Sequence, residues 1–377
     1  MSALRRIVVT WMATAYGGAE KSSLELCRTI RQRFQVEVTL VMWHYGEDGK
    51  FTLDAQQPNV VHCFNIDEYR QCLAAALSVD ALSTVMFSNH RTYQLDLELA
   101  EQSGVPTAVI FRQTPIADEA LRTLASPVSA ELTYLHGDEL DWDSLHRAAA
   151  LVGISNFGAR GIARFAEQHR GVVRIYNGLQ MPGEIGRVSA RDVRRFLIVA
   201  RLINWKAVDF GIEAFTRLSC QYPDVRLQIA GDGEEAARLR QLTQRLQASA
   251  KVEFLGFVSD IRSVYLDNDC LLHLSGIESF GRVVVEAALC GLAVVVPQSA
   301  GTGEVVINEH TGLTFAPSDL SDCVRAMERA YHLSENDYLR LASAARQRAL
   351  AMFNLERLAE EYVGLANSML HQQILRR

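Results

Sequence analysis

Short runs of β-branched and other apolar residues alternate, through the first half of the chain, with stretches whose apolar positions recur every three or four residues. Ile7–Trp11, Val36–Met42, Val60–Cys63, Thr84–Phe87, Thr107–Phe111, Leu151–Ile154 and Val172–Tyr176 read as strands. Their near-continuous apolar character is that of strands covered on both faces. The first runs into the Gly17-Gly18 turn and a helix predicted from about Glu20 to Arg33. Strands separated by helices predict a parallel sheet. Asn177-Gly178 closes the series, and Gln180 to Val193 reads as a polar connection carrying Pro182, Gly183 and Gly186. The rhythm restarts at Phe196–Ala200 and continues through Val225–Ala230, Val252–Leu255, Cys270–Leu274 and Ala293–Pro297, with helices such as Glu234–Ala248 and Arg282–Cys290 between. The expected architecture is α/β, with two doubly wound (Rossmann-like) parallel-sheet domains facing across a cleft, a preferred kind of ligand site. Residues 1–180 form the first domain, 181–195 the linker and 196–352 the second; 353–377 is a helical tail with no strand after it, expected to pack back on the first domain.

The length of 377 residues suits two domains. With 49% hydrophobic and 22% charged residues and only 8 Pro, the composition excludes fibrous and low-complexity chains. A net charge of −6, from 38 Lys+Arg against 44 Asp+Glu, is too mild for a polyanion binder, so nucleic acid is not an expected partner. The seven Cys, with no C-x-x-C pair, indicate neither a disulfide framework nor a thiolate zinc site, and a cytoplasmic location is expected. No apolar run approaches the roughly 20 residues of a membrane-spanning helix. Arg5 and Arg6, followed by Ile7 to Tyr16 with Ala13-Thr14-Ala15, have the layout of a signal peptide; the competing reading is a first buried strand.

Candidate chemistry begins with glycines at the ends of strands, where backbone amides can approach a phosphate. Tyr16-Gly17-Gly18-Ala19-Glu20, Gly231-Asp232-Gly233 and Gly301-Thr302-Gly303-Glu304 qualify, and each is equally an ordinary turn. Arg201 and Lys206 follow the strand Phe196–Ala200, where a planar fork and a point charge could converge on a diphosphate or form a solvated loop pair. In Gly276 to Glu286 a strand end leads to Glu278, and a helix opens near Gly281 with Glu286 about one turn inside. Free amides at that helix start can hold phosphate, and the carboxylates can accept from sugar hydroxyls. Two Glu with seven residues between them lie about 80° apart on a helix, not on one face.

Glu278 to Glu286 with its Phe-Gly centre, followed by Ala287, Gly291 and Ala293–Val296, resembles the E-x7-E signature of retaining nucleotide-sugar glycosyltransferases of the GT-B fold, glycosyltransferase family 4. Further matches fall in the same order: Gly17 to Glu20, Asn177-Gly178, Arg201-Leu202 with Lys206, Gly231-Asp232-Gly233, Phe254-Leu255-Gly256, and Gly312 to Asp319. The resemblance covers nearly the whole chain and is densest from Asn177 to Pro317.

The resemblance implies a metal-independent, retaining transfer of a hexosyl unit from a nucleotide-diphosphate sugar to a hydroxyl acceptor: a glycan, a lipid-linked glycan or a small glycosylated metabolite. It casts Arg201 and Lys206 as binders of the donor diphosphate. Glu278 would contact sugar hydroxyls and support the oxocarbenium-like state. The stretch Phe280, Gly281, Arg282 and Val283 would bind phosphate or sugar, Glu286 the ribose, and Leu255 with the neighbouring loop the base; Gly231 would belong to the donor site. Gly17 and Gly18 would offer first-domain amides when the domains close. No cofactor is implied beyond the co-substrate, UDP being favoured over GDP. The acceptor's proton passes to a leaving phosphate oxygen, so no protein general base is required.

Ala200, Ala207, Ala293 and Ala300 stand where the family carries Gly or Pro, and are read as tolerable. After Thr107–Phe111, many relatives place a histidine near the acceptor, whereas this chain has Arg112-Gln113; either Arg112 positions the acceptor or His136 reaches it. Asp141-Trp142-Asp143 and Asp267-Asn268-Asp269 mimic a metal–diphosphate motif but are rejected as one, and no H-x-x-x-H pair supports zinc. The acidic loop Asp138 to Asp143 is a solvated face or an attractor of a cationic acceptor. Arginines at 160, 164, 170 and 174, and at 187, 191, 194 and 195, are a charged surface or a contact with anionic lipid at the inner face of a membrane. Competing functions are a nucleotide-sugar epimerase or hydrolase, for which no added acid/base cluster is visible, and an inactive GT-B binding protein, against which Arg201, Lys206, Glu278 and Glu286 together argue.

Overall fold

The computed structural model describes residues 4–13, 18–44, 59–116, 137–167, 169, 171–180 and 188–376. Among them the chain divides into two compact units, the first made of 4–116, 137–180 and 354–376, the second of 188–353.

The first unit is built on a seven-stranded, all-parallel sheet of β1 (Arg6–Ala13), β2 (Glu37–His44), β3 (Val60–Cys63), β4 (Thr84–Asn89), β5 (Thr107–Phe111), β6 (Ala150–Gly153) and β7 (Val172–Arg174), in the order β3-β2-β1-β4-β5-β6-β7. β4 and β5 are buried at every residue, which is why they read as unbroken apolar runs. One buried polar cluster ties four elements together. Asp96, with no exposed surface, accepts from Thr10 Oγ1 (2.6 Å), the Tyr69 hydroxyl (2.6 Å), Ser88 Oγ (2.7 Å) and Thr92 Oγ1 (2.7 Å). Burial raises its carboxyl above the ordinary aspartate range against those four bonds. The helix Leu355–Arg376, last in the chain, also belongs to this unit. It buries Leu358, Tyr362, Met369 and Leu370, sets the Tyr362 ring edge-on to Phe87 at 5.0 Å, and sends Arg357 Nη2 to the Tyr176 carbonyl at 2.6 Å.

The second unit is a six-stranded, all-parallel sheet: β8 (Arg195–Val199), β9 (Arg226–Ala230), β10 (Val252–Gly256), β11 (Cys270–Leu272), β12 (Ala293–Pro297) and β13 (Leu313–Phe315), ordered β10-β9-β8-β11-β12-β13. Phe196, Leu227, Leu272 and Val295 from the sheet pack with Ile212, Phe215, Met327 and Tyr338 from the helices in one core. Asp269, from the second Asp-x-Asp triplet, holds the start of β8: it accepts from the Arg194 and Arg195 amides (3.1 and 2.9 Å) and pairs with the Arg195 guanidinium (2.9 Å). That carboxylate is a structural clamp. Among the described residues no helix is long and apolar enough to cross a membrane.

Candidate active site

Because all strands of the second sheet run the same way, the loops leaving β8, β9, β10, β11 and β12 emerge on one edge. β8 pairs with β9 on one side and β11 on the other, so the winding reverses between β8 and β11. Loops diverge at such a reversal and leave room for a ligand. Arg201 and Lys206 leave β8 there, and Glu278 leaves β11.

Lys206 ends a one-turn 3₁₀ segment, Asn204–Lys206, whose start is fixed by the Trp205 amide donating to Asn204 Oδ1 at 2.6 Å. The next residue, Ala207, takes a left-handed φ of 53° and caps the helix Val208–Gln221. The Lys206 ammonium lies 4.0 Å from the centroid of the Trp205 ring and forms an ion pair with Glu278 Oε2. Both side chains are largely covered, at 17% and 18% exposure. Burial pushes the Glu278 carboxyl up, but Lys206, His273 and Arg201 outweigh it and hold the group below the ordinary glutamate value. Arg201 itself is exposed. Arg201 and Lys206, the residues expected at the diphosphate, thus both act on the carboxylate expected at the sugar.

The backbone beyond Glu278 is fixed by close packing. The Gly301 amide donates to the Glu278 carbonyl at 2.8 Å, and a Cβ on Gly301 would fall 2.0 Å from the Ser279 carbonyl oxygen, so only glycine fits. Phe280 buries its ring edge-on to Phe353 at 5.3 Å. Gly281, at φ 84°, turns the chain into the helix Arg282–Leu289, whose first turn contains half-buried Val283. First-turn amides have no acceptor within their own helix and suit an anion. Glu286, one turn in, accepts from Arg282 Nε at 2.8 Å and from the Tyr265 hydroxyl at 3.0 Å.

Gly231 and half-buried Leu255 stand on the same edge at the ends of β9 and β10, joined by the Gly231 amide donating to the Gly256 carbonyl at 2.8 Å. Gly18, Arg112 and Gln113 belong to the first unit, and Gly17 and His136 lie outside the described residues. Arg112 follows β5 and donates to Asn177 Oδ1 (2.6 Å) and Ser23 Oγ (3.2 Å), with its guanidinium 5.5 Å from the Trp11 ring centroid. With Trp11, Ser23, Asn89 and Tyr362 it lines a small pocket.

Two histidines went unnoticed in the sequence pattern. His90 follows β4, stacks on Phe111 at 5.9 Å, and is held by burial down to a pKa of about 3; its one sequence signal is a polar Asn89-His90 pair ending an apolar run. His273 follows β11 beside the Lys206–Glu278 pair and is 5% exposed, with burial as the main reason that its pKa falls to about 4. It hides inside the apolar run Cys270–Leu274, of which only Cys270–Leu272 is strand.

Residues 187–348, which contain the candidate positions from Arg201 to Gly301, match the family model of glycosyl transferases group 1. The match spans less than half of the chain. The phosphatidylinositol N-acetylglucosaminyltransferase gpi3 subunit of Schizosaccharomyces pombe is 35% identical over 125 residues, 33% of this chain and 27% of that protein. The N-acetyl-alpha-D-glucosaminyl L-malate synthase of Bacillus anthracis is 28% identical over 159 residues, 42% of this chain and 41% of that one. The chain therefore spans between about a quarter and two fifths of the length of these curated relatives. Among solved structures, Anabaena Alr3699/HepE in complex with UDP superposes with a TM-score of 0.72 at 20% identity, covering 96% of this chain and 100% of that one. The two parallel sheets and this likeness give the chain the GT-B fold.

Proposed function

We propose that the protein transfers a hexosyl unit from a nucleotide-diphosphate sugar, with UDP favoured as the nucleotide, to a hydroxyl acceptor, with retention of anomeric configuration and without a metal ion. The observation that carries this reading is the Lys206–Glu278 ion pair at the winding reversal of the second sheet, inside the stretch that matches the family model of glycosyl transferases group 1. Arg201 and Lys206 bind the diphosphate and stabilise the charge that collects on it as the bond from the sugar's anomeric carbon to phosphate breaks. Glu278 holds sugar hydroxyls. The backbone at Phe280, Gly281, Arg282 and Val283 receives phosphate or sugar, Glu286 the ribose, and Gly231 with Leu255 the base. The bonding pair leaves with the nucleoside diphosphate. A new bond forms from the acceptor oxygen to the anomeric carbon, and the acceptor's proton goes to the departing phosphate oxygen, so the step balances without a protein base.

Acceptor binding is assigned to the first unit, with Arg112, Gln113 and His136 as its candidate residues. The relatives' names include both a phosphatidylinositol and an L-malate acceptor. We favour a lipid-linked or glycan acceptor met at the cytoplasmic face of a membrane. The reading is tested by incubating the protein, with EDTA present, with a panel of UDP- and GDP-hexoses and such acceptors, and following nucleoside diphosphate release and the anomeric coupling of the product by NMR. Release with an α-configured product from an α-configured donor is expected. An inverted product, or transfer that requires a divalent ion, would overturn the mechanism.

A further inference from the structure

We propose that His273 is a positioning residue that takes over the Glu278 carboxylate when Lys206 leaves it for the donor diphosphate. The inference rests on the reading above, in which Lys206 meets the diphosphate and Glu278 the transferred sugar.

Lys206 and Glu278 pair with each other in a largely covered site. A donor needs both groups at once, the ammonium at its phosphates and the carboxylate at its sugar, so binding must pull the pair apart. That leaves a shielded carboxylate without its cation, a state that proteins compensate with another hydrogen-bond donor. His273 is placed to supply one. It stands at the edge where β11 ends, is 5% exposed, and the charges that act on its imidazole are those of Glu278 and Lys206. Its Nε2 is buried and has no hydrogen-bond partner, and Ser275 Oγ, two residues on, is buried and unpartnered as well. Buried polar atoms are nearly always satisfied. Two unsatisfied ones at one strand end point to a partner acquired in another state of the site. Burial keeps the imidazole neutral near pH 7, so it adds no positive charge that would repel Lys206, yet it retains an N–H to donate. In the donor complex one Glu278 oxygen then accepts from His273 and the other from a sugar hydroxyl.

The test compares wild type, His273→Gln and His273→Leu in the full chain, using UDP alone and the UDP-hexose that wild type uses best. Because UDP lacks the sugar that needs Glu278, His273→Leu is expected to bind UDP within about twofold of wild type while losing about tenfold or more in kcat with the UDP-hexose, with His273→Gln recovering a substantial part of that loss. In wild type labelled with ¹⁵N-histidine, the His273 Nε2 resonance is expected to shift on addition of the UDP-hexose, a readout independent of whether either variant folds. Unchanged kcat in His273→Leu, a parallel fall in UDP affinity and kcat with no recovery by glutamine, or an unmoved Nε2 resonance in the donor complex would each overturn the proposal. Wild type that binds neither probe would instead remove the glycosyltransferase reading, and this inference with it.

Discussion

His90 and His273 are buried imidazoles whose protonation is opposed by desolvation, with folded-state pKa values of about 3 and about 4 against an ordinary 6.5. Between those values and 6.5 the unfolded chain binds more protons than the folded one. Each histidine's contribution is therefore complete above pH 6.5 and is lost as the pH falls below it, at up to about 1.4 kcal/mol per pH unit until the folded value is reached. Glu278 acts in the same direction at lower pH, because its carboxyl is held below 4.5 and its stabilising charge is lost on protonation. Unfolding free energies measured between pH 7 and pH 4 should fall, and His90→Phe, which keeps the ring stacked on Phe111, should flatten the profile of the first unit. A profile identical to wild type would contradict the burial argument for His90. These groups were poorly legible in the sequence. A histidine inside an apolar run looks the same whether it is solvated or enclosed, and the four hydroxyls on Asp96 come from positions as far apart as Thr10 and Thr92. Lys206 and Glu278 were legible only as parts of an ordered motif, since nothing in 72 residues of separation announces an ion pair.

Among the elements, the strands were readable because both faces are covered and their apolar runs are unbroken; Thr107–Phe111 and Ala293–Pro297 have the bounds that the pattern predicts. β13 was missed, three residues being too few to show a period. The departures from the family's glycines acquire a physical meaning in the fold. Ala207 and Ala300 take φ values of 53° and 51°, in the left-handed region where a Cβ costs about 1–2 kcal/mol. Glycine's greater unfolded-state freedom offsets part of this, by roughly 0.5–1 kcal/mol. Ala207→Gly and Ala300→Gly should each stabilise the second unit by about 0.5–1 kcal/mol, visible as a rise in Tm. Gly301→Ala should do the reverse. With Ser279 backbone 2.0 Å from the new Cβ, the Glu278–Phe280 segment must shift, lowering stability by about 1–3 kcal/mol and weakening donor binding. Wild-type donor affinity in Gly301→Ala would mean that this segment does not touch the donor.

For the whole molecule, the consequence of the topology is that the last helix in sequence completes the first unit. Leu355, Leu358, Tyr362, Val363, Met369 and Leu370 are each at most 9% exposed there. At about 1.5–3 kcal/mol per large apolar side chain, their removal costs on the order of 10 kcal/mol, comparable with the entire 5–15 kcal/mol stability of a typical domain. A chain ending at Phe353 should therefore lose amide protection throughout β1–β7 while the second unit keeps its protected core. Retained protection in the first sheet would show that this packing is dispensable. In the second unit, calorimetric titration of UDP into wild type and Lys206→Ala at neutral pH tests whether Lys206 is the cation that receives the donor's diphosphate. Wild type should bind, and the variant, folded by circular dichroism, should bind at least about tenfold more weakly, the loss of a charge-assisted contact. Equal affinity in the two proteins would place the diphosphate elsewhere and contradict the assignment of this site.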